Sequence, residues 1–198
     1  MSSTLTEAIV TTETSTLTHK GCVIWFTGLS GAGKSTVSEA VSKALKKTNC
    51  KLEVLDGDVV RTNLSKGLGF SREDRNINIL RIGFVCELLA RNGVIAMTAA
   101  ISPYRAIRDQ LKARIPNFIE IFVDASVEEC ARRDVKGLYA KAFSGEIKQF
   151  TGVSDPYEEP LNPDLVLNTT DETVEESAMK VLNFLVEKGY IEGWSPEL

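Results

Sequence analysis

Histidine, paired cysteines and long apolar runs are scarce or missing in this 198-residue sequence. The one histidine, His19, precedes the first strongly apolar segment, which argues against a histidine-based metal site or a histidine-centred triad. Cys22, Cys50, Cys86 and Cys130 lack C-x-x-C spacing, so we expect reduced, mostly buried thiols, with a redox role as the alternative. No stretch approaches the ~18 apolar residues of a membrane span.

Positive charge is not in excess either. The chain has 23 Lys and Arg against 27 Asp and Glu, a net charge of −4, which argues against broad nucleic-acid or anionic-membrane binding. The first 18 residues are rich in Ser and Thr and lack Arg and Lys, unlike a secretory signal or a transit peptide. We therefore predict a loose tail over residues 1–18, one domain over 19–198, and a cytoplasmic protein without nucleic-acid or membrane partners.

Short apolar segments alternate with segments of helical periodicity along most of the chain. The predicted strands are CVIWFTG (22–28), KLEVLD (51–56), VIAMTAAI (94–101), FIEIFVDA (118–125) and DLVLNT (164–169). The predicted helices cover 34–47, 73–93, 103–114, 126–134 and a last segment around 174–185. In the helix 73–93, Ile77, Leu80, Phe84 and Leu88 are predicted to form the apolar face. This alternation predicts an α/β fold with a parallel five-stranded sheet and helices on both faces.

The interval 135–160 does not fit the alternation. It contains three glycines, two prolines, two tyrosines, two phenylalanines and three lysines. A wandering surface loop is one interpretation, but long loops in compact domains are often lids that close over ligands. We therefore predict a lid over about 135–160, which would offer charge and aromatic faces to a ligand.

The segment GLSGAGKS (28–35) matches the pattern G-x-x-x-x-G-K-[ST] between a predicted strand and a predicted helix. Glycines let backbone N–H groups turn toward phosphate oxygens, and the start of the helix adds a positive dipole end. Lys34 is predicted to reach the β- and γ-phosphates of ATP, and the Ser35 hydroxyl to ligate Mg²⁺. The residues assigned to ATP in this loop are Gly28, Leu29, Ser30, Gly31, Ala32, Gly33, Lys34, Ser35 and Thr36.

A phosphate loop indicates a nucleoside triphosphate but not the fate of its γ-phosphate. A GTPase would need N-K-x-D, and NTTD (168–171) lacks the lysine. A motor or regulatory ATPase usually carries a Mg²⁺ carboxylate at the end of the third strand, where VIAMTAAI has no acid. Asp56 and Asp58 instead follow the second strand, an arrangement that favours a small-molecule kinase. A pure binding module is the remaining class.

The stretch VLDGDVVRTNLSKGLGF (54–70) and the helix after it supply candidate residues for the acceptor. Arg61, Arg75 and Arg81 carry permanent positive charge suited to a phosphate or sulfate. Arg75 and Asn78 are three residues apart and therefore share a helix face. Phe70 offers a flat ring on which a base can stack. Together these residues favour an anionic, aromatic acceptor such as a nucleotide.

The motifs WFTGLSGAGKST, LDGDVVRTNLSKGLGFSREDRNINILRIG, ISPYR, DVKGLYAKA and FTGVSDPYEEPLNPDLVL resemble, in order from about His19 to Leu167, those of the adenylylsulfate kinase family. That family transfers the γ-phosphate of ATP to the 3′-hydroxyl of adenosine 5′-phosphosulfate (APS), giving 3′-phosphoadenosine 5′-phosphosulfate, in sulfate assimilation. The resemblance implies a P-loop kinase fold, ATP and APS as substrates, Mg²⁺ with ATP, and a homodimer. The alternative is another P-loop kinase of a small molecule or nucleotide.

The resemblance also assigns site residues by position. It implies that the acceptor is held by Asp58, Arg61, Phe70, Arg75 and Asn78, with Ile101 and Ser102 at its edge and Lys136, Leu138 and Phe150 closing from the lid. Phe70 and Phe150 would sandwich the adenine, and Arg133 would contact the adenine of ATP. Asp58 is the first choice to orient the 3′-hydroxyl and take its proton, with Asp56 assisting through Mg²⁺ or its water shell, and the reverse assignment of the two aspartates is the alternative. Phe143 stands where family members often have an arginine, so one lid charge is missing.

Overall fold

The computed structural model describes residues 18–55, 57–134 and 136–195, and only the backbone of Asp58 and Val59. In chain order the elements are β1 (Thr18–His19), β2 (Cys22–Thr27), α1 (Lys34–Lys46), β3 (Leu52–Leu55), α2 (Gly57–Asn63), α3 (Arg72–Arg91), β4 (Ile95–Ala99), α4 (Arg105–Arg114), β5 (Phe118–Asp124), α5 (Val127–Arg133), α6 (Leu138–Phe143), β6 (Leu165–Asn168), α7 (Val174–Glu187) and β7 (Ile191–Glu192).

Strands β2 to β6 form one parallel sheet in the order β3-β4-β2-β5-β6. The central strand β2 pairs with β4 on one side and β5 on the other, and β3 and β6 lie at the edges. All five strands predicted from the sequence are present, and the predicted parallel pairing is confirmed. The carboxyl ends of these strands meet at one edge of the sheet, where ligands bind in open α/β folds.

Every residue of β2 is buried, because successive side chains of this central strand point into two different cores. Cys22, Ile24 and Phe26 belong to the core beneath α1 and α7. Val23 and Trp25 belong to the core beneath α3 and α4. Helices therefore cover both faces of the sheet, as the continuous apolar runs of the strands predict.

The predicted apolar face of α3 is only partly the face that packs: Leu80 packs against the core beneath α3 and α4, but Phe84 does not. Phe84 is exposed, whereas the buried positions of α3 are Ile79, Ile82, Gly83, Cys86 and Ala90. A Cβ atom at Gly83 would lie 2.4 Å from Cδ2 of Leu111 in α4. The two helices therefore approach closely over small residues, which a search for large apolar side chains overlooks.

Helices α2 and α6 and the antiparallel β1–β7 pair were not among the predicted elements. Both helices are one or two turns long, too short for a clear periodicity. Of the predicted tail, residues 1–17 lie outside the described residues, and Thr18 pairs with Glu192. Within the described ranges, none of the helices combines the length and apolar character that crossing a bilayer requires.

All four cysteines are free thiols, and Cys22, Cys86 and Cys130 are buried. Burial raises the pKa of Cys22 and of Cys86 to about 12, so both thiols are protonated and unreactive near neutral pH. This agrees with the expectation of reduced, mostly buried thiols.

Candidate active site

The loop after β2 turns sharply because its glycines adopt backbone conformations that other residues avoid. Gly28 has φ 146°, and a Cβ atom there would lie 2.4 Å from the carbonyl oxygen of Val123. Gly33 has φ 96° and begins α1 without a side-chain cap. The first N–H groups of a helix have no partner within it. The loop and the start of α1 therefore form a site for an anion such as a phosphate.

Lys34, the first residue of α1, has a buried side chain whose Nζ donates to the carbonyl of Leu29 at 2.6 Å. Burial, with a smaller contribution from the positive charge of Lys136, lowers the pKa of this ammonium to about 8. A cation with so little contact with water is stabilised strongly by a phosphate placed beside it. Ser35 and Thr36 follow and are exposed at the mouth of the loop.

Two side chains from outside the loop hold its backbone. Arg133, at the end of α5, donates to the carbonyl of Gly31 at 3.3 Å and to that of Thr169 at 2.8 Å. The Thr169 hydroxyl, just after β6, donates to the carbonyl of Ala32 at 2.7 Å. Arg133 thus lies beside the phosphate loop, and its predicted contact with the adenine of ATP stays a prediction, while Thr169 was not identified from the sequence.

A small pocket of about 210 Å³ lies on this side of the loop, between the starts of α1 and α7 and the end of α5. Its lining residues are Gly31, Gly33, Thr36, Val37, Arg133, Thr169, Glu172, Thr173, Val174 and Ser177. Because it adjoins the glycines and the guanidinium of Arg133, it can receive the nucleoside end of a triphosphate whose phosphates occupy the loop.

A larger cavity of about 920 Å³ adjoins the loop at Ser30. It lies beyond β3 and β4, between α2, the start of α3 and the segment 147–151 of the predicted lid. Eight of the predicted acceptor residues line it: Arg61, Phe70, Arg75, Asn78, Ile101, Ser102, Leu138 and Phe150. The structure therefore brings together residues that are up to 89 positions apart in the sequence.

The two aromatic rings predicted to hold a base differ in their surroundings. The side chain of Phe70 is 57% exposed, with the guanidinium of Arg61 5.5 Å from its ring centroid. Phe150 is buried and packs edge-to-face against Tyr139 at 4.9 Å between centroids. Phe70 can therefore move to meet a ligand, whereas Phe150 forms a fixed part of the wall.

The guanidinium of Arg75 connects α3 to the predicted lid. It donates to the carbonyl of Gln149 at 2.6 Å, to Oδ2 of Asp155 at 3.1 Å, and to the hydroxyl of Thr151. It also donates to the carbonyl of Phe70 at 2.7 Å. Arg75 therefore lines the cavity with its charge already paired, so an acceptor anion competes with Asp155 for it.

The floor of the larger cavity is a buried turn at Ser102, which has φ 41° and is 2% exposed. Its hydroxyl accepts from Nε1 of Trp25 at 3.0 Å and donates to Oγ1 of Thr27 at 2.9 Å. Its carbonyl accepts from Arg108 at 2.5 Å, and Arg108 forms a buried ion pair with Glu120 at 2.8 Å. These bonds fix the turn, so Ser102 contributes shape more than a free hydroxyl.

Four predicted site residues lie elsewhere or outside the description. Arg81 is exposed, donates to the carbonyl of Leu64 at 2.7 Å and lines neither cavity, so it does not join the other acceptor residues. Lys136 is exposed and lines neither cavity, although its charge acts on Lys34. Asp56 is outside the described residues, and only the backbone of Asp58, in the first turn of α2, is described.

The donor set at the loop fits a magnesium ion carried with ATP. The exposed hydroxyl of Ser35 is at the start of α1, and hydroxyl and carboxylate oxygens are ligands that Mg²⁺ accepts. Among the described residues, no group of three or more His, Cys, Asp or Glu side chains could hold a metal ion.

Comparison with known proteins identifies the family. A family model described as adenylylsulphate kinase matches residues 20–168, three quarters of the chain. The chain belongs to the adenylylsulfate kinase family. An adenylyl-sulfate kinase of Picosynechococcus sp. is 62% identical over 173 residues, which cover 87% of this chain and 98% of that protein.

Solved adenylylsulfate kinases share the fold. The APS kinase CysC of Mycobacterium tuberculosis, solved in complex with AMPPNP and APS, aligns with a TM-score of 0.79 at 44% identity, over 85% of this chain and 99% of that one. A hexameric APS kinase from Thiobacillus denitrificans aligns with a TM-score of 0.68 at 35% identity, over 87% of this chain and 30% of that one. The predicted family, P-loop kinase fold and ATP-dependent phosphotransferase activity are confirmed.

Proposed function

We propose that the chain transfers the γ-phosphate of ATP to the 3′-hydroxyl of APS across its phosphate loop, with ATP on the side of the smaller pocket and APS in the larger cavity. The observation that carries this assignment is that the two cavities share the loop as a wall. Ser30 lines the larger cavity, while Gly31, Gly33 and Thr36 line the smaller pocket. A phosphate bound in the loop is therefore accessible from both.

On the nucleotide side, the N–H groups of the loop and the ammonium of Lys34 bind the β- and γ-phosphates. The guanidinium of Arg133, partly buried beside the smaller pocket, offers its flat face to the adenine of ATP. Both assignments follow from residue type and place: a buried cation beside a glycine-rich loop binds phosphate, and a planar cation in the adjoining pocket stacks on a base.

On the acceptor side, Arg61 and Arg75 bind the phosphosulfate, since a guanidinium forms two parallel hydrogen bonds to an oxyanion group. Phe70 closes on one face of the adenine and Phe150 supports the other. Asn78 adds a polar contact. Ile101 and Ser102 form the edge of the site, and Lys136 and Leu138 lie at the lid side.

At the reacting centre, Asp58 orients the 3′-hydroxyl and accepts its proton, and Ser35 with Asp56 holds Mg²⁺. The ion supplies charge neutralisation on the phosphates. Because the transition state of phosphoryl transfer is loose, positioning and charge neutralisation outweigh the strength of the base. Asp58 is in the first turn of α2, directly after β3, at the edge of the sheet where the phosphate loop also lies.

The test is a coupled ATPase assay with APS, AMP, shikimate and gluconate as alternative acceptors. We expect ADP release that depends on APS and matches formation of 3′-phosphoadenosine 5′-phosphosulfate mole for mole. AMP shares the base but lacks the sulfate, so it should react poorly because Arg61 and Arg75 lose part of their target. Faster turnover with shikimate or gluconate would support a different small-molecule kinase instead.

We also propose that the chain acts as a homodimer in the cytoplasm. Free, mostly buried thiols suit a reducing compartment, where disulfides rarely persist. The similar APS kinase from Thiobacillus denitrificans is described as hexameric, so a hexamer is the alternative assembly. Light scattering after size-exclusion chromatography should give twice the chain mass of 21.7 kDa, and a single or sixfold mass would contradict the proposal.

A further inference from the structure

The short helix α6 of the lid places one aromatic side chain against the phosphate loop. Tyr139, its second residue, is buried, and its hydroxyl donates to the carbonyl of Ser30 at 2.9 Å. Ser30 belongs to the loop and also lines the larger cavity. The lid and the loop are thus joined by a hydrogen bond between residues 109 positions apart in the sequence.

The ring of the same tyrosine contacts the acceptor side. Tyr139 packs edge-to-face on Phe150 at 4.9 Å and is tilted against Phe143 at 6.2 Å between centroids. Phe150 lines the larger cavity and is the fixed ring of its wall. The hydroxyl of Tyr139 therefore contacts the phosphate loop, and its ring contacts the Phe150 side of the acceptor cavity.

The backbone around Tyr139 is anchored by the segment between α5 and α6, which also bonds to the phosphate loop. The carboxylate of Asp134 accepts from the N–H of Tyr139 at 3.0 Å and from that of Ala140 at 3.1 Å. The residue before Asp134 is Arg133, which donates to the carbonyl of Gly31. Two successive carbonyls of the loop, those of Ser30 and Gly31, therefore accept hydrogen bonds from Tyr139 and Arg133, which lie on either side of Asp134. Burial also raises the pKa of the Tyr139 phenol, which keeps it a neutral donor.

We propose that Tyr139 is a positioning residue that couples the two substrate sites, by fixing the Ser30 carbonyl and the Phe150 ring relative to each other. Phosphates that settle in the loop adjust the Ser30 peptide, and through Tyr139 they set the ring against which the acceptor base packs. Coupling of this kind is reciprocal, so the acceptor also tightens binding of the nucleotide. This role rests on the proposed assignment of ATP and APS to the two cavities.

The test removes only the hydroxyl. For wild type and Tyr139→Phe, the dissociation constant of APS is measured by calorimetry with and without saturating AMPPNP, which cannot transfer its phosphate group. In the wild type we expect AMPPNP to tighten APS binding. In Tyr139→Phe we expect that tightening factor to shrink about 3- to 10-fold, the range that one hydrogen bond contributes. The ring stays in place, so the variant should fold.

Thr48→Val is the matched control. The Thr48 hydroxyl is buried and donates to the carbonyl of Leu45 at 2.6 Å, beyond the far end of α1 and outside both cavities. Its loss should lower the melting temperature as much as Tyr139→Phe does, without changing the tightening factor. A wild type without tightening, or a Tyr139→Phe variant that tightens like Thr48→Val, overturns the inference. A wild type that does not phosphorylate APS overturns the proposed function itself, which is a separate result.

Discussion

The two sides of the phosphate loop are built differently. On the nucleotide side, Arg133 and Thr169 bond to backbone carbonyls of the loop, and the pocket is small. On the acceptor side, the cavity is more than four times larger, and Arg75 is bonded to the lid segment 149–155. Loop carbonyls held by side chains keep their shape without a ligand, whereas Arg75 must give up a lid partner when a ligand anion binds it. Changes on the acceptor side should therefore affect APS much more than ATP.

The largest effect is expected for Lys34→Ala, which removes the cation shared by both sides. Its charge stabilises the phosphate oxygens as the transition state forms, so kcat should fall by about 10²–10³-fold or more while the fold stays intact. Steady-state kinetics and circular dichroism check both parts. Lys43→Ala is the control, because Lys43 is an exposed residue of the same helix that pairs with Glu39. Near wild-type kcat in Lys34→Ala would refute the kinase mechanism.

A smaller effect should follow from the pKa of Lys34, which burial lowers from 10.5 to about 8. In the free enzyme the ammonium loses its proton above this pH, so kcat/KM for ATP should fall toward tenfold per pH unit. The unfolded lysine keeps its proton up to 10.5, so between these values this group's contribution to folding stability rises with pH. Deprotonation of Lys34 would therefore lower activity without itself promoting unfolding.

Lys34→Arg tests this assignment, because an arginine stays charged across the range. Its residual kcat/KM should lack the decline above pH 8. If the decline persists in Lys34→Arg, another group causes it.

Phe70→Ala should separate the acceptor side from the nucleotide side by raising KM for APS and not for ATP. Stacking on an aromatic ring contributes about 1–3 kcal/mol per base in nucleic-acid binding. Because Phe70 is more than half exposed, we expect the lower end, an increase of about 5- to 10-fold. The effect should be nearly independent of salt, since no charge is lost. An equal rise in KM for ATP would place Phe70 outside the acceptor site.

The smallest effect on turnover is expected for Ser102→Ala. Ser102 is 2% exposed and its hydroxyl is bonded to Trp25 and Thr27, so it is poorly placed to become a phosphorylated intermediate. Loss of the hydroxyl should lower stability by about 1–3 kcal/mol, with kcat per folded molecule within about threefold of wild type. Direct transfer also predicts inversion of configuration at a chiral γ-phosphate. Retention would indicate a covalent intermediate.

The sequence predicted best what neighbouring residues determine. The phosphate loop is eight consecutive residues, so spacing alone defines it, and the buried strands are short apolar runs that need no partner to be recognised. Arg75 and Asn78 both line the larger cavity, as expected of residues three apart on one helix face. Arg81 does not line it, because helix geometry alone does not tell how far along α3 the cavity extends.

Contacts between residues far apart in the chain could not be predicted from the sequence. Tyr139 and Thr169 contact the loop from 109 and 137 positions away, and neither residue type signals such a role. Most of the packed face of α3 was missed because Gly83 and its small neighbours, not the largest apolar residues, allow close approach to α4. The roles of Asp56 and Asp58 stay predictions from their positions after β3.

The most direct test of the two-sided site is a crossed measurement on two arginines. KM for ATP and for APS is determined in Arg75→Ala and in Arg133→Ala. Loss of charged hydrogen bonds should raise KM for APS about 10- to 100-fold in Arg75→Ala with little change for ATP, and Arg133→Ala should affect mainly ATP. If Arg75→Ala instead weakened ATP alone, the two substrates would have been assigned to the wrong sides of the loop.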